Sequence, residues 1–533
     1  MWATAAALTA MLSLVVVLLY VVLVNGLHVF WPAYVAEVTR VDGEALLGEI
    51  TRRATNPDTD EVSFQLKTGN RELDPQRQDF RWVKEKDIRS ISYPTGIYVL
   101  ERVENGNYYG RLERVEGPHV PAAGDRSGDE ALSSGVTAVQ QKAAEYLGPI
   151  ARNLAALSHQ LQETREAIAT LQYRKTRLPG DQHQRLDEQL AEAESRATQL
   201  KKQSDYWVAL QQKRLAEFRT DVAVFKDASG KSTPIEMLDI VRIYQPNDMG
   251  LLAKLGHYVK KIGELLWDNP RESNTEGGLF PAIFGTVMLI FLMAITCFPL
   301  GVLAGIYLGE YAKDRHLVRL VRIAVNNLAG IPSIVYGIFG LGFFVYGIGG
   351  LIDQWIFPER VAVGSPTFGT GGILWASLTL GLLTVPVVIV STEEALRAIP
   401  RGIREGSLAL GATKYQTLLH VLVPMASPGM MTGFILAMAR AAGEVAPLMI
   451  TGVVKLAPQL PLDGDFPYFH LDRKFMHLGF HIYDVGFQSP NVEASKPMVY
   501  VTTLLLLLIV LLMTSTAIWL RNRMRKRCQL RTL

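Results

Sequence analysis

EEALRAIPRGIREGSLALGATKYQTLLHVLVP, residues 393–424, is a polar stretch set between two apolar ones. On its left, residues 373–390 are nearly uncharged and about long enough to cross a bilayer. On its right, residues 421–454 are apolar apart from Arg440 and Glu444. The stretch therefore reads as a loop at a membrane surface. Arg397, Arg401, Arg404 and Lys414 put that surface in the cytoplasm, because short cytoplasmic loops carry an excess of Lys and Arg.

Within the loop, a short helix is expected to end near Gly411, where glycine can take the left-handed C-terminal conformation. A second helix begins beyond it, and such a helix-turn-helix can dock as a rigid knob into a groove on a partner. The order Glu405-Gly406-Ser407, three residues, Gly411, nine residues, Val421-Leu422-Val423-Pro424 resembles the EAA loop of ATP-driven importers. That loop reads E-A-A, x3, G, x9, I-x-L-P. Gly406 and Ser407 replace the two alanines, but both are small, so close docking survives. Glu405, Gly406, Ser407, Gly411 and Ala412 are thus the expected contacts to a separate ATPase. The plainer reading is an ordinary basic loop.

Composition bounds the rest. The chain has 533 residues, of which 49% are hydrophobic, too apolar for a soluble enzyme of average makeup. A net charge of +3 argues nothing for nucleic acid. The basic residues gather at membrane edges, most densely over Arg521–Arg527. Cys297 falls in an apolar segment and Cys528 in the basic tail, so a disulfide between them is implausible.

Residues 5–24 form the first apolar run, longer than a signal-peptide core and without a preceding Lys or Arg. It is expected to be a retained membrane helix, within a first segment 1–30; cleavage is the alternative. Residues 31–279 are polar and form an inserted α+β domain. Strand-like alternation runs over 35–115. One hairpin signal is EVSFQLK after Asn56–Asp60, and another is IYVLERV–Glu104-Asn105-Gly106-Asn107–YYGRLER. Residues 117–135 read as a linker. Residues 136–220 carry 3-4 spaced apolar positions on both sides of Leu178-Pro179-Gly180-Asp181, the pattern of an antiparallel coiled-coil hairpin about 45–50 Å long. Strands return over 220–245. Gly230-Lys231-Ser232-Thr233 resembles the end of a phosphate loop, but Phe225 stands where that loop needs glycine. The chain is therefore expected to hold no cofactor and to be no enzyme, with ATP and Mg on a partner.

A membrane core over 280–520 follows, with helices near 280–308, 325–350, 371–392, 422–452 and 498–520, then a basic tail over 521–533. Lys313, Arg315, Arg319 and Arg322 mark one inner loop, and the loops at 352–370 and 455–497 are sparsely basic. Six helices with both termini inside satisfy this distribution. The 31–279 domain then lies outside, periplasmic in a cell with an outer membrane.

Arg440 and Glu444 are the charges of the fifth helix, and at i and i+4 they share a face. Charges at membrane depth usually line a pathway, and an Arg in a polar cavity is a ready anion ligand. A mutually neutralising structural pair is the alternative. Gly301, Gly305 and Gly309 repeat a small-xxx-small pattern suited to close helix packing. Ile331-Pro332-Ser333 breaks the third helix; Ser333 either offers a hydroxyl to substrate or marks a plain kink. His470, His477 and His481 lack a completing carboxylate or Cys motif, so a solvated loop is expected and no metal.

GVLAGIYLGEYAKD (301–314), LAGIPSIVYG (328–337), the 393–424 loop and MTGFILAMARAAGEVAPLMITG (431–452) together resemble the membrane subunit of the bacterial phosphate ABC importer, the PstA type. The resemblance covers about 275–525. It implies a six-helix, MetI-like permease core in the inner membrane. It also implies a homologous second permease, a cytoplasmic ATPase dimer and an extracytoplasmic phosphate-binding protein as partners. Arg440 and Glu444 match charged positions of the family; a basic residue some members carry near Val390 is absent. The 31–279 domain is not part of the compact family form. Another oxyanion such as sulfate or molybdate, or an envelope adaptor using its coiled-coil arm, are the rival readings.

Overall fold

The computed structural model describes residues 2–55, 60–71, 79–121, 128–179, 183–313, 315–362, 364–464, 466, 468–489 and 492–531. The corners expected at 56–59 and 180–181 lie outside these residues, as does part of the linker, 122–127. Two compact units result: residues 1–29 with 279–533, and residues 30–278.

Among its described residues, the first unit contains six helices long and apolar enough to cross a membrane: α1 (Trp2–His28), Phe280–Tyr311, Ser333–Ile356, Ile373–Arg397, Lys414–Gly443 and Ser495–Lys526. Three boundaries differ from the sequence expectation, each for a local reason. Residues 325–328 belong to a separate amphipathic helix, His316–Leu328, because Pro332 cannot continue it and the third span restarts at Ser333. The 393–424 stretch is a loop only in its middle. Glu393–Arg397 is the last turn of the fourth span, and Lys414 onward already belongs to the fifth. The fifth span stops at Gly443, and a short helix, Ala446–Thr451, follows. Pro447 lacks an N–H and its ring would clash with the carbonyl of Gly443, so Glu444 is extended (φ −80°, ψ 129°) rather than helical.

The fourth span is the most enclosed of the six. The second span packs on one side of it and the fifth on another. Residues 471–473 fold back onto its start: the Arg473 and Leu471 carbonyls accept from the N–H groups of Ile373 and Leu374, both at 3.0 Å. These are donors that a helix N-terminus leaves unpaired.

The second unit is built on two five-stranded antiparallel sheets. The first comprises β1 (Val35–Arg40), β2 (Ala45–Thr55), β3 (Val62–Lys67), β4 (Phe80–Lys84) and β5 (Ile88–Ser92), in the order β4-β3-β2-β1-β5. The second comprises β6 (Tyr98–Arg102), β7 (Tyr108–Glu116), β8 (Val222–Lys226), β9 (Ser232–Glu236) and β10 (Ile240–Tyr244), in the order β9-β8-β7-β6-β10. The two are one arrangement used twice. A single 3₁₀ turn links the last two strands in each, Glu85–Asp87 and Met237–Asp239. Register shifts fall at matching places, between Ile50 and Arg52 and between Leu112 and Arg114. The Val41 and Val103 N–H groups each donate at 2.9 Å to the carbonyl of the Asp ending the 3₁₀ turn. Gly48 and Gly110 correspond too, since a Cβ would meet the Lys67 carbonyl at 2.5 Å in one and the Lys226 carbonyl at 3.0 Å in the other. The hairpin expected at Asn105-Gly106 forms, both residues taking positive φ (69° and 66°).

Two long helices, α2 (Gly128–Arg177) and α3 (His183–Phe218), are inserted between β7 and β8. They run antiparallel, with Lys175 bonded to Asp187 near the tip and Arg214 over the Tyr146 ring near the base. The helix begins earlier than expected, at Gly128, because Leu132, Val136 and Val139 join the core of the second sheet with Met237 and Phe218. Gly230 sits at the tip of the β8–β9 hairpin (φ +82°), and strand rather than helix follows Gly230-Lys231-Ser232-Thr233. That is no phosphate-loop geometry.

Candidate functional site

The 401–413 segment is a small projecting knob. Its helix, Arg401–Ala409, has no fully buried side chain. Gly411 ends it at φ +88°, with its N–H on the Leu408 carbonyl at 3.0 Å and the Ala412 N–H on Ser407 at 3.2 Å. Thr413 then caps the fifth span, in a capping box with Gln416. Ser407 Oγ meets Thr417 Oγ1 at 2.9 Å and so ties the two helices across the turn. Glu405, Gly406 and Leu410 face outward, and a Cβ on Gly406 would touch nothing.

Arg404 anchors this knob. Its guanidinium reaches Glu310, at the end of the second span, at 2.7 and 3.1 Å. It also donates to the Leu396 and Ile399 carbonyls at 2.5 and 2.6 Å, where the fourth span ends. Glu393 in that last turn takes Arg397 at 2.6 Å and Arg322 at 3.0 Å. In the sequence alone Arg404 is one positive charge among several. A lone acid directly after Gly309, at a membrane edge rich in Arg, was the available signal for its partner.

The small residues of the second span sit where they allow contact. A Cβ on Gly301 would lie 2.7 Å from Val388, and one on Gly305 would lie 2.6 Å from Thr392 Cβ and 2.8 Å from the Ile389 carbonyl. Gly309 is looser, 3.4 Å from Leu396. The fifth span does the same from its side, with Gly429 against Ala395 and Gly433 against Ser391, both at 2.5 Å. The fourth span is thereby gripped between two glycine faces.

Arg440 closes the fifth span, and its Nε lies 3.5 Å from Glu444 Oε1, with the two side chains 33% and 19% exposed. The pair meets across the helix end rather than along one helical face. Ser333 is half-buried at the first position of the third span, and among the described residues no hydrogen bond joins it to the pair. It belongs to the same neighbourhood, however. One turn later, a Cβ on Gly337 would lie 2.7 Å from Pro447, three residues beyond Glu444. Tyr336 donates to the Leu328 carbonyl at 2.6 Å and lies within electrostatic reach of Arg440.

The histidines do not form a solvated loop. His477 and His481 are buried, because the Leu478–Tyr483 helix folds against the second and sixth spans. Leu478 N–H donates to Thr286 Oγ1 at 2.9 Å, and His481 Nδ1 meets Thr502 Oγ1 at 3.2 Å. His477 Nδ1 accepts from Gly479 N–H at 3.1 Å, which makes it the helix cap, and full burial pushes its imidazole down to about 4. His470 is separate, paired with Asp463 at 2.9 Å. Among the described residues no group of three metal-ligating side chains forms.

Residues 301–526 match the family described as the binding-protein-dependent transport system inner membrane component. The chain is 31% identical over 225 residues to a probable ABC transporter permease protein, YqgI, of Bacillus subtilis, covering 41% of this chain and 70% of that one. It is 34% identical over 207 residues to YqgH of the same organism, described likewise (38% and 62% covered). It is 35% identical over 191 residues to the probable phosphate transport system permease protein PstA of Methanocaldococcus jannaschii (36% and 60% covered). The chain thus spans under two thirds of the length of two of these three relatives. With six apolar helices and this match over its membrane unit, the chain belongs to the binding-protein-dependent transport system inner membrane components, as an ABC transporter permease similar to PstA.

Proposed function

We propose that the chain is one permease half of an ATP-driven importer of inorganic phosphate. In this reading the basic edges at Lys313–Arg322, Arg397–Lys414 and Arg521–Arg527 face the cytoplasm. Both termini are then inside, and the 30–278 unit is outside, on the periplasmic side of the bacterial inner membrane. The knob formed by Glu405, Gly406, Ser407, Gly411 and Ala412 seats on an ATPase dimer, which binds ATP and Mg and hydrolyses the ATP. A homologous permease completes the path, and a phosphate-binding protein delivers the anion from outside. ATP-driven closure of the ATPases shifts the knob, and through Arg404 and Glu310 it reorients the second and fourth spans.

The single observation that carries the substrate class is the state of Arg440. Among the described residues its one partner is Glu444, through Nε at 3.5 Å, so the terminal N–H groups of the fork remain available to an oxyanion. Glu444 holds the side chain in place and keeps anion binding weak enough for release. Ser333 adds a hydroxyl nearby. The resemblance to relatives named for phosphate transport supports phosphate among oxyanions.

The test is uptake of labelled phosphate by the assembled transporter in proteoliposomes. Arg440→Ala should abolish uptake while the partner subunits still co-purify. Unchanged uptake would remove Arg440 from the path. Sulfate or molybdate competing as well as unlabelled phosphate would reassign the cargo.

A further inference from the structure

One helix of the 30–278 unit is packed inside out. α4 (Leu251–Trp267, LLAKLGHYVKKIGELLW) is amphipathic, and a helix of a water-soluble domain turns its apolar stripe to the core. Here the polar stripe faces the sheets. Lys254, His257 and Glu264 are buried. Lys254 Nζ lies 3.5 Å above the Tyr34 ring and donates to the Pro32 carbonyl at 3.4 Å. Glu264 takes Arg242 at 2.9 Å and also Arg271, and Lys261 reaches Glu101 at 2.5 Å. The apolar stripe is turned outward: Leu251 is 74% exposed, Leu252 82%, Leu255 50% and Val259 59%. At about 100° per residue these side chains fall on one side of the helix, opposite the buried polar ones. The fold thus holds an apolar ridge outward with a network of ion pairs.

Chain connectivity indicates what covers the ridge. Pro32 and Tyr34, which hold α4, follow the last residue of α1 by four and six residues. Even fully extended, those links reach at most about 14 and 21 Å. At the other end, Trp267 precedes the first residue of the second span, Phe280, by thirteen residues, at most about 45 Å of chain. The ridge is therefore leashed to two membrane crossing points, one of them very short. Trp31 and Tyr258 pack together at 6.0 Å beside it, the aromatic pairing expected at a headgroup level. The exposed residues of α4 include Lys260 and no acid, which suits an anionic lipid surface.

We propose that α4 is an interfacial helix, with Leu251, Leu252, Leu255 and Val259 in the headgroup–acyl boundary, and that it seats the 30–278 unit on the bilayer. The proposal requires only that the flanking helices span the membrane; it is independent of the solute carried.

The test uses the full chain in nanodiscs of phosphatidylcholine and phosphatidylglycerol. Cys297→Ala and Cys528→Ser provide a background for single labels at Leu255→Cys and Val259→Cys, with Tyr206→Cys on the helical hairpin as reference. Each site carries an environment-sensitive fluorophore. Brominated acyl chains should quench the labels at 255 and 259 several-fold more than the label at 206, and aqueous iodide should do the reverse. Iodide quenching at 255 and 259 equal to that at 206 would overturn the proposal. So would resistance to both quenchers, which would mean that a second copy or another protein covers the ridge. If Leu255→Cys fails to fold, Leu252→Cys reads the same face.

Discussion

Arg404 holds the projecting 401–409 helix to the ends of two membrane spans, and its removal should loosen the knob without unfolding the bundle. Arg404→Ala deletes a two-point contact to Glu310 and two bonds to helix-end carbonyls. Breaking one side of a buried ion pair costs about 3–5 kcal/mol, whereas a fully exposed pair is worth at most about 1. Arg404 and Glu310 are 21% and 17% exposed, so a value near the lower buried figure, about 3 kcal/mol, is appropriate. At 1.4 kcal/mol per tenfold, local opening of the knob becomes about a hundredfold more frequent. Amide hydrogen exchange reads this directly: amides of 401–413 should exchange about a hundredfold faster, while those of 376–390 stay protected. Arg404→Lys keeps the charge but loses the fork, so it should fall between. A double-mutant cycle with Glu310→Gln isolates the pair from the carbonyl bonds. Exchange in Arg404→Ala within about threefold of the parent, under 1 kcal/mol, would refute the assignment of Arg404 as the anchor. On the importer reading, the same variant should hydrolyse ATP while transporting little phosphate.

Gly305→Val should separate the second and fourth spans, because the backbone carbonyl of Ile389 and the Thr392 side chain leave no room for it. Overpacking costs about 1–3 kcal/mol, so the variant should melt several degrees lower, with Gly309→Ala nearly neutral; an unchanged Gly305→Val transition would contradict the packing. His477 titrates at about 4 when folded, against an ordinary 6.5, so the unfolded chain binds the proton first as pH falls. Stability should be full above pH 6.5 and decline towards pH 4 by up to about 3 kcal/mol, a dependence that His477→Gln should flatten in a melting series; equal pH slopes in the two proteins would exclude His477 as its source.

The spans were legible because about twenty consecutive apolar residues leave few alternatives. Their ends were not. Glu393–Arg397 and Lys414–Thr417 are polar, yet hydrogen bonding and capping carry the helices through them, whereas Pro447 ends the fifth span inside apolar sequence. The Gly411 turn was legible because its conformation is local. The Arg404–Glu310 contact was not, since 94 residues separate the partners. The burial of His477 and His481 likewise depends on other elements, the starts of the second and sixth spans. The doubled sheet is written in the sequence only as sparse spacing. Arg40-Val41, Gly48 and Arg52 recur at the same spacing as Arg102-Val103, Gly110 and Arg114, but the long insertion after β7 hides the second half of the repeat.

That repeat also shows how the helical hairpin can be removed. In the first sheet β2 passes to β3 through only residues 56–61, and the matching β7–β8 connection differs by holding α2 and α3. The sheet therefore does not need the hairpin for its topology. It does need the hairpin's base, because Leu132, Val136, Val139 and Phe218 lie in the sheet's core. At about 1.5–3 kcal/mol per buried apolar side chain, deleting 136–220 would remove three of those four and cost several kcal/mol, so loss of function after that deletion would report misfolding. Removing 152–209 instead, with a short glycine-rich turn joining the helices, leaves all four in place. The truncated chain should keep the exchange protection of β6–β10 unchanged. If that protection falls, the hairpin is part of the fold rather than an arm set upon it. If protection holds and uptake persists, the arm is dispensable for transport, whereas protection without uptake would assign the outer part of the arm a role of its own.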